Sequence, residues 1–255
     1  MSFDRVRSLL FAPGSDERKL RGSLAAGADA VIWDLEDGVA SAEKPAARSL
    51  VARLLAAEAP PATLRLVRVN SHGTDEQAAD LEALVGAPLD GILLPKATSA
   101  AVAALELDGR PLLALVESAA GLRDVLELAT SGQVEGLLFG ALDLAAELRL
   151  EPLPDAQELL TYRAQLVLAS VLGGLAGPFD SPSVHVRDTA ALRDDCRRAR
   201  GLGFRGKACI HPSQVPVVHA AFVPTAAELE WAREVGHGTS PPESSSGGRT
   251  PGRRS

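Results

Sequence analysis

"VIWDLEDGVA", residues 31–40, runs three apolar side chains straight into three carboxylates, Asp34, Glu36 and Asp37. A strand with one face in water alternates polar and apolar residues, and this one does not. A run apolar at every position reads as a strand buried on both faces, the condition of a parallel sheet covered by helices. The acids that follow at once put a polar site at that strand's C-terminal end.

The same pattern recurs on either side. Strand-like runs are "RSLLFAP" (7–13), "DAVIWDLE" (29–36), "LRLVRVN" (64–70) and "GILLPK" (91–96). They continue with "PLLALVE" (111–117), "VEGLLFG" (134–140), a weaker "GLAGPFD" (174–180) and "GKACIHP" (206–212). Helical patterns such as "AEKPAARSLVARLLAAEA" (42–59) and "DEQAADLEALVG" (75–86) lie between them. Strand then helix, repeated, implies parallel strands joined by crossover helices. Eight such units in about 250 residues is the arithmetic of a (β/α)₈ TIM barrel. An open doubly wound sheet is the alternative, but it advertises a glycine-rich phosphate loop after its first strand, and "FAPGSDERK" (11–19) has one glycine. Residues 141–175 exceed one crossover, which predicts an extra loop or helix after the sixth strand. "TAAELEWAREV" (225–235) reads as a last helix, ending a barrel domain over 1–235. The remaining residues, 236–255, carry no large apolar side chain and are Gly, Ser, Pro and Arg-rich, the composition of a disordered tail.

Composition narrows the function. Hydrophobic residues make up 46% and charged residues 23% of the 255, a balance that supports a sizeable core. Only 4% are aromatic and the net charge is −7, which argues against a nucleic-acid binder. Two cysteines, Cys196 and Cys209, make no disulfide framework and fit a reducing cytoplasm. No signal peptide is visible, and no run approaches the roughly 20 apolar residues of a membrane span.

In a parallel barrel the active site forms at the carboxyl ends of the strands. Read in order, those ends are Glu36 and Asp37, Arg68 and Asn70, Lys96, Glu117, Asp143, Asp180 and His211. Together they describe one charged mouth. Glu117 and Asp143 come from adjacent strand ends, and converging carboxylates repel unless protonated or bridged by a cation. Oxygen ligands without a Cys or His cluster suit Mg²⁺. No zinc spacing, Walker loop or G-x-S-x-G signature is present. Arg68 reads as a guanidinium for a substrate carboxylate, or as the ion-pair partner of a nearby acid. Lys96 reads as an ion pair in preference to a Schiff-base lysine, and His211 as a packing or hydrogen-bonding residue. Asp180 either orients a loop or joins the site.

The motifs "RSLLFAPG", "DAVIWDLEDGVA…EKPAAR", "LVRVN", "GILLPK", "LALVESAAGL", "LLFGALDLAAEL" and "GFRGKACIHPSQVPVV", in this order, resemble the citrate lyase beta-subunit-like group of the HpcH/HpaI aldolase superfamily. The resemblance spans residues 7–235. It implies a TIM barrel of the phosphoenolpyruvate/pyruvate type that uses Mg²⁺ to cleave or form a C–C bond in a short 3-hydroxyacyl-CoA. Citryl-, malyl- or citramalyl-CoA are substrates of that kind, giving acetyl-CoA and a keto acid. It also implies a cytoplasmic homotrimer or hexamer. By motif, Glu117 and Asp143 are the metal ligands, with Glu117 also beside substrate, and Arg68 grips the keto-acid carboxylate. Glu36 and Asp37 hold metal-bound water and neighbouring groups. The loop from Phe11 to Arg21 resembles the CoA-contacting segment. There Gly22 stands where the family often has lysine, leaving Lys19 and Arg21 as substitutes. The family's C-terminal lid motif, of the form G-x-M-V-D-x-P, is absent, since the only methionine is Met1. That departure keeps a partner-dependent or non-catalytic subunit, and a related acyl-CoA thioesterase, as alternatives.

Overall fold

A computed structural model describes residues 3–57, 62–107, 109–153, 155–224, 229–231 and 233. The chain divides into two compact units, Met1–Phe222 and Val223–Ser255. In the second unit the backbone is helical at 229–231 and 233; the rest of the expected 225–235 helix and the expected tail lie outside the described residues.

Eight parallel strands close the first unit into a barrel in sequence order. They are β1 (Ser8–Pro13), β2 (Ala30–Asp34), β3 (Leu64–Arg68), β4 (Gly91–Leu94), β5 (Leu112–Val116), β6 (Gly136–Phe139), β7 (Phe179–Asp180) and β8 (Gly206–Cys209). Pairing of β8 with β1, Leu9 opposite Ala208, completes the ring. The weakest sequence run yields the shortest strand, the two-residue β7.

Helices α1 (Glu17–Leu24), α2 (Lys44–Ala57), α3 (Asp75–Ala83), α4 (Ser99–Ala103) and α5 (Ala119–Thr130) follow the first five strands. Two helices, α6 (Ala141–Leu148) and α7 (Leu160–Gly173), lie between β6 and β7, which accounts for the long 141–175 segment. They are followed by α8 (Thr189–Leu202) and α9 (Val215–Ala221). Side chains cap several of these helices at the carboxyl side of the barrel. Thr74, Thr98 and Ser118 each accept from a backbone N–H three residues on, satisfying a donor that the helix leaves open.

Alternation along each strand sorts the apolar residues into two cores. Leu9, Ala30, Ile32, Leu66, Leu93, Leu113, Leu115, Leu138, Phe179 and Ala208 fill the barrel interior. Leu10, Val31, Trp33, Val67, Ile92, Leu94, Ala114, Val116, Leu137 and Phe139 pack outward with the helices. Successive side chains point to opposite faces, so Asp34 shares the inward face of Ile32 and Arg68 that of Leu66. Asp180, next to inward Phe179, turns outward. At the amino end of the barrel, Arg7 holds Asp29 through its backbone N–H (2.8 Å), Nε (3.1 Å) and Nη2 (3.0 Å). His219 on α9 lies 3.3 Å from the same carboxylate. This grouping ties β1, the start of β2 and the last barrel helix together, away from the mouth.

Candidate active site

The loop that follows β2 is folded around one carboxylate. Asp34 Oδ1 accepts from the Glu36 N–H (2.9 Å) and Oδ2 from the Gly38 N–H (2.8 Å). The same oxygens accept from Arg68 Nε and Nη2, both at 2.7 Å. A side chain at position 38 has no room: its Cβ would lie 2.4 Å from Asp34 Oδ2. From behind, Lys44 Nζ donates to the carbonyls of Leu35 and Glu36 (both 2.9 Å) and to Asn70 Oδ1. Asn70 in turn donates to Leu35 O and to Asp80 Oδ2. Asn70 therefore braces the loop and is not a wall of the cavity.

Arg68 lies on the inward face at the end of β3, its guanidinium 5.3 Å over the Phe11 ring. Burial opposes its charge, but Asp34 foremost, then Glu36 and Glu117, more than offset this and raise its pKa. Glu36 Oε2 lies 3.0 Å from Arg68 Nη1. The N–H is not aligned with that contact, so Oε2 is buried without a hydrogen bond. Oε1 accepts from Ser71 Oγ (2.9 Å) and has Lys96 Nζ at 3.5 Å. Burial pushes Glu36 up, against the pull of Arg68. Asp37 lines the cavity with its side chain 61% exposed, 3.7 Å from Arg68 Nη1.

Glu117, just past β5, is buried, and its Oε1 accepts from the Lys96 N–H (2.9 Å). Lys96 reaches that position with a left-handed backbone, φ +48°. The expected ion pair of Lys96 is with Glu36, so its ammonium and its backbone N–H serve two different carboxylates. Asp143, in the first turn of α6, lines the same cavity as Glu117. Burial, then Glu36 and Asp143, push Glu117 up to about 8. The turn into α6 is pinned by Ser181, whose Oγ donates to Phe139 O (2.6 Å) and accepts from the Ala141 N–H (2.7 Å).

Phe11, Asp34, Asp37, Arg68, Glu117 and Asp143 share one cavity of about 350 Å³, with Leu115, Leu138 and Ile210 among its apolar walls. A second cavity, of about 300 Å³, lies between α7 and α8 and shares none of these residues. The remaining expected residues fall elsewhere. Lys19 pairs with Asp16 (3.6 Å) and Arg21 with Glu17 (3.1 Å) on exposed α1, outside the cavity lining. Asp180 pairs behind the sheet with Lys207 (2.6 Å) and Arg163 (3.0 Å). His211 caps the short helical turn at 212–214, its Nδ1 accepting from the Ser213 N–H. Asp34 and Ser181 are the residues that strand-end reading left out of the site; counting inward and outward positions from Ile32 finds the first.

The residues suit a hard cation. Among the described residues no group of three or more His, Cys, Asp and Glu side chains could hold a metal ion. Glu117 and Asp143 instead form an oxygen pair, the donor set of Mg²⁺, which keeps waters and takes substrate oxygens. Glu36 Oε2 is buried without a hydrogen bond, though Glu36 lies outside the lining of the cavity that holds the pair. No Cβ fits at Gly140, where it would stand 2.8 Å from Glu117 Oε2, so the backbone itself makes room beside the carboxylate.

A closed parallel barrel with a carboxylate pair and a clamped arginine in one cavity at its carboxyl end defines a (β/α)₈ enzyme. The chain belongs to the HpcH/HpaI aldolase/citrate lyase family, whose model matches residues 7–212. It is 40% identical over 230 residues to a (3S)-malyl-CoA thioesterase of Cereibacter sphaeroides, covering 89% of this chain and 80% of that protein. Identity to a citrate lyase subunit beta-like protein of Mycobacterium tuberculosis is 40% over 233 residues, covering 89% and 82%. Among solved structures, it resembles CitE of M. tuberculosis in complex with magnesium, acetoacetate and coenzyme A, with TM-score 0.80 and 37% identity, covering 92% and 88%. RipC of Yersinia pestis matches with TM-score 0.77 and 32% identity, covering 89% and 100%.

Proposed function

We propose that the chain is a Mg²⁺-dependent carbon–carbon lyase acting on a short 3-hydroxyacyl-CoA to give acetyl-CoA and a keto acid. The observation that carries this reading is the facing of Arg68 and the Glu117–Asp143 pair across one cavity. In it, Glu117 and Asp143 hold Mg²⁺, which when bound supplies Lewis-acid polarisation of substrate oxygens. The resemblance to CitE, solved in complex with magnesium, acetoacetate and coenzyme A, supports Mg²⁺ as the cofactor.

Arg68 grips the acid's carboxylate. Of its five N–H donors, those on Nε and one on Nη2 are committed to Asp34, which leaves Nη1 and the second Nη2 hydrogen for substrate. Such charge-assisted bonds fix orientation as well as charge. Asp37, with its exposed carboxylate on the cavity, receives the hydroxyl proton. The C–O bond then becomes the keto acid's carbonyl, and the C–C electrons pass to the acetyl thioester as its enolate, whose carbon takes a proton from water to become the methyl group of acetyl-CoA. Glu36 holds water near the cation, while Phe11, Leu115 and Leu138 keep bulk water from the reacting carbons. The loop from Phe11 to Arg21 takes the CoA portion, Lys19 and Arg21 offering charge for its phosphates.

Malyl-, citramalyl- and citryl-CoA, each supplied with Mg²⁺, test the reading. Equimolar acetyl-CoA and keto acid from at least one ester is the expected result, and no cleavage of any would overturn it. The similarity to (3S)-malyl-CoA thioesterases supports a second reading, hydrolysis of the thioester; release of free CoA with intact malate in the same assay would select it. We place the protein in the cytoplasm as a homotrimer or hexamer. Buried free Cys196 and Cys209 support the compartment. Among the described residues no helix is long and apolar enough to cross a membrane.

A further inference from the structure

We infer that Asp34 is the positioning residue of this site: its carboxylate sets the orientation in which Arg68 presents its free N–H groups to the substrate carboxylate. The inference rests on the proposed role of Arg68 and extends it to a residue whose two carboxylate oxygens are taken up by Arg68 and the loop backbone.

Four hydrogen bonds meet at Asp34, two from the Arg68 guanidinium and two from the backbone of the loop after β2. The two arginine bonds are equal at 2.7 Å and join Nε and Nη2 to separate oxygens, a planar fork-to-fork arrangement. That geometry removes rotation about the guanidinium plane, which a single ion pair does not. It also leaves Nη1 on the side away from Asp34. Glu36 and Asp37 approach that nitrogen at 3.0 and 3.7 Å without taking over the orientation, since the Glu36 contact is not an aligned hydrogen bond. Register adds to the constraint. Asp34 is opposite Arg68 in the β2–β3 ladder, so both side chains leave neighbouring backbones at the same height on the inward face. Asp34 is 4% exposed and Arg68 9%, so water competes little for either partner. Gly38 completes the device, because its missing Cβ is what lets Oδ2 settle against the loop.

Binding of pyruvate, a minimal 2-oxo acid, to the Mg²⁺-loaded protein by calorimetry separates positioning from mere support. Asp34→Asn keeps the shape but turns an N–H₂ toward the guanidinium, and should weaken pyruvate roughly 10- to 100-fold, the range for losing a hydrogen bond to a charged group. Gly38→Ala displaces the same carboxylate without changing its charge, and should weaken pyruvate in the same direction; it carries the test if Asp34→Asn does not fold. The deciding comparison is made in an Arg68→Met background. If Asp34 acts through Arg68, neither change should weaken pyruvate further there, and a merely structural role would give the same loss again. Native affinity in a folded Asp34→Asn or Gly38→Ala protein, or full additivity with Arg68→Met, overturns the inference. A native protein that binds no 2-oxo acid would instead overturn the functional reading itself.

Discussion

Glu117 is held where an isolated carboxylate would not remain ionised. It is buried, faces Glu36 and Asp143, and has one fixed donor, the Lys96 N–H. A divalent cation between Glu117 and Asp143 turns that repulsion into coordination. Glu117→Gln should therefore reduce Mg²⁺ affinity by at least about 10-fold in a calorimetric titration. Gly140→Ala, whose Cβ would stand 2.4 Å from Glu117 Cβ, should cost on the order of 10-fold by moving the ligand without removing it. Native Mg²⁺ affinity in both would take Glu117 out of the metal site. Residue by residue, the sequence disclosed the acids and the arginine because they end apolar runs. It did not disclose which of three neighbouring acids clamps the arginine, and that acid is Asp34, the one whose two oxygens accept hydrogen bonds from Arg68. Lys19 and Arg21 were legible as charge near a strand end, yet their partners are Asp16 and Glu17 on their own surface.

Helix starts carry the strand-end residues into position, and α5 is the clearest case. Ser118 follows Glu117 directly and accepts from the Gly121 N–H (3.1 Å), so a single turn both begins the helix and fixes the direction of the carboxylate before it. Ser118→Ala should lower stability by about 1 kcal/mol, the usual worth of such a cap. For a domain of this size that is a fall in Tm of about 2–4 °C, readable by calorimetry. If the cap also aims Glu117, Mg²⁺ affinity should fall with it; an unchanged affinity would confine Ser118 to the helix. Continuous apolar runs made the strands readable, and helical periodicity made α2 and α3 readable. The segment between β6 and β7 was legible only as excess length. Its two helices are set by tertiary packing, chiefly of α7 on α5, which no local pattern in 141–175 states.

Across the whole barrel, charge is kept in layers that do different work. The inward layer at the mouth holds Arg68, Glu117 and Asp34, while Arg163, Asp180 and Lys207 form a separate group between sheet and helices. Asp180 and Lys207 are both 2% exposed at the side chain, so each is tolerable only with the other. Burial pushes Asp180 up, but Lys207 and then Arg163 pull it further down, and its pKa ends below the usual carboxylate value. A depressed folded pKa means that the pair's contribution is fully present above the unfolded value of about 3.9. It is lost as pH falls through the lower folded value. Asp180→Asn should thus flatten the acid limb of stability against pH. It should also destabilise the protein at neutral pH by about 3–5 kcal/mol, because it strands a buried ammonium. Lys207→Met added to Asp180→Asn should recover most of that loss in urea unfolding, since an apolar side chain of similar length removes the unpaired charge. A double variant as unstable as Asp180→Asn would show that the cost lies in lost hydrogen bonds to Arg163, not in the stranded lysine. Neither variant should alter the affinity for pyruvate, because Asp180 and Lys207 lie outside the lining of the mouth cavity.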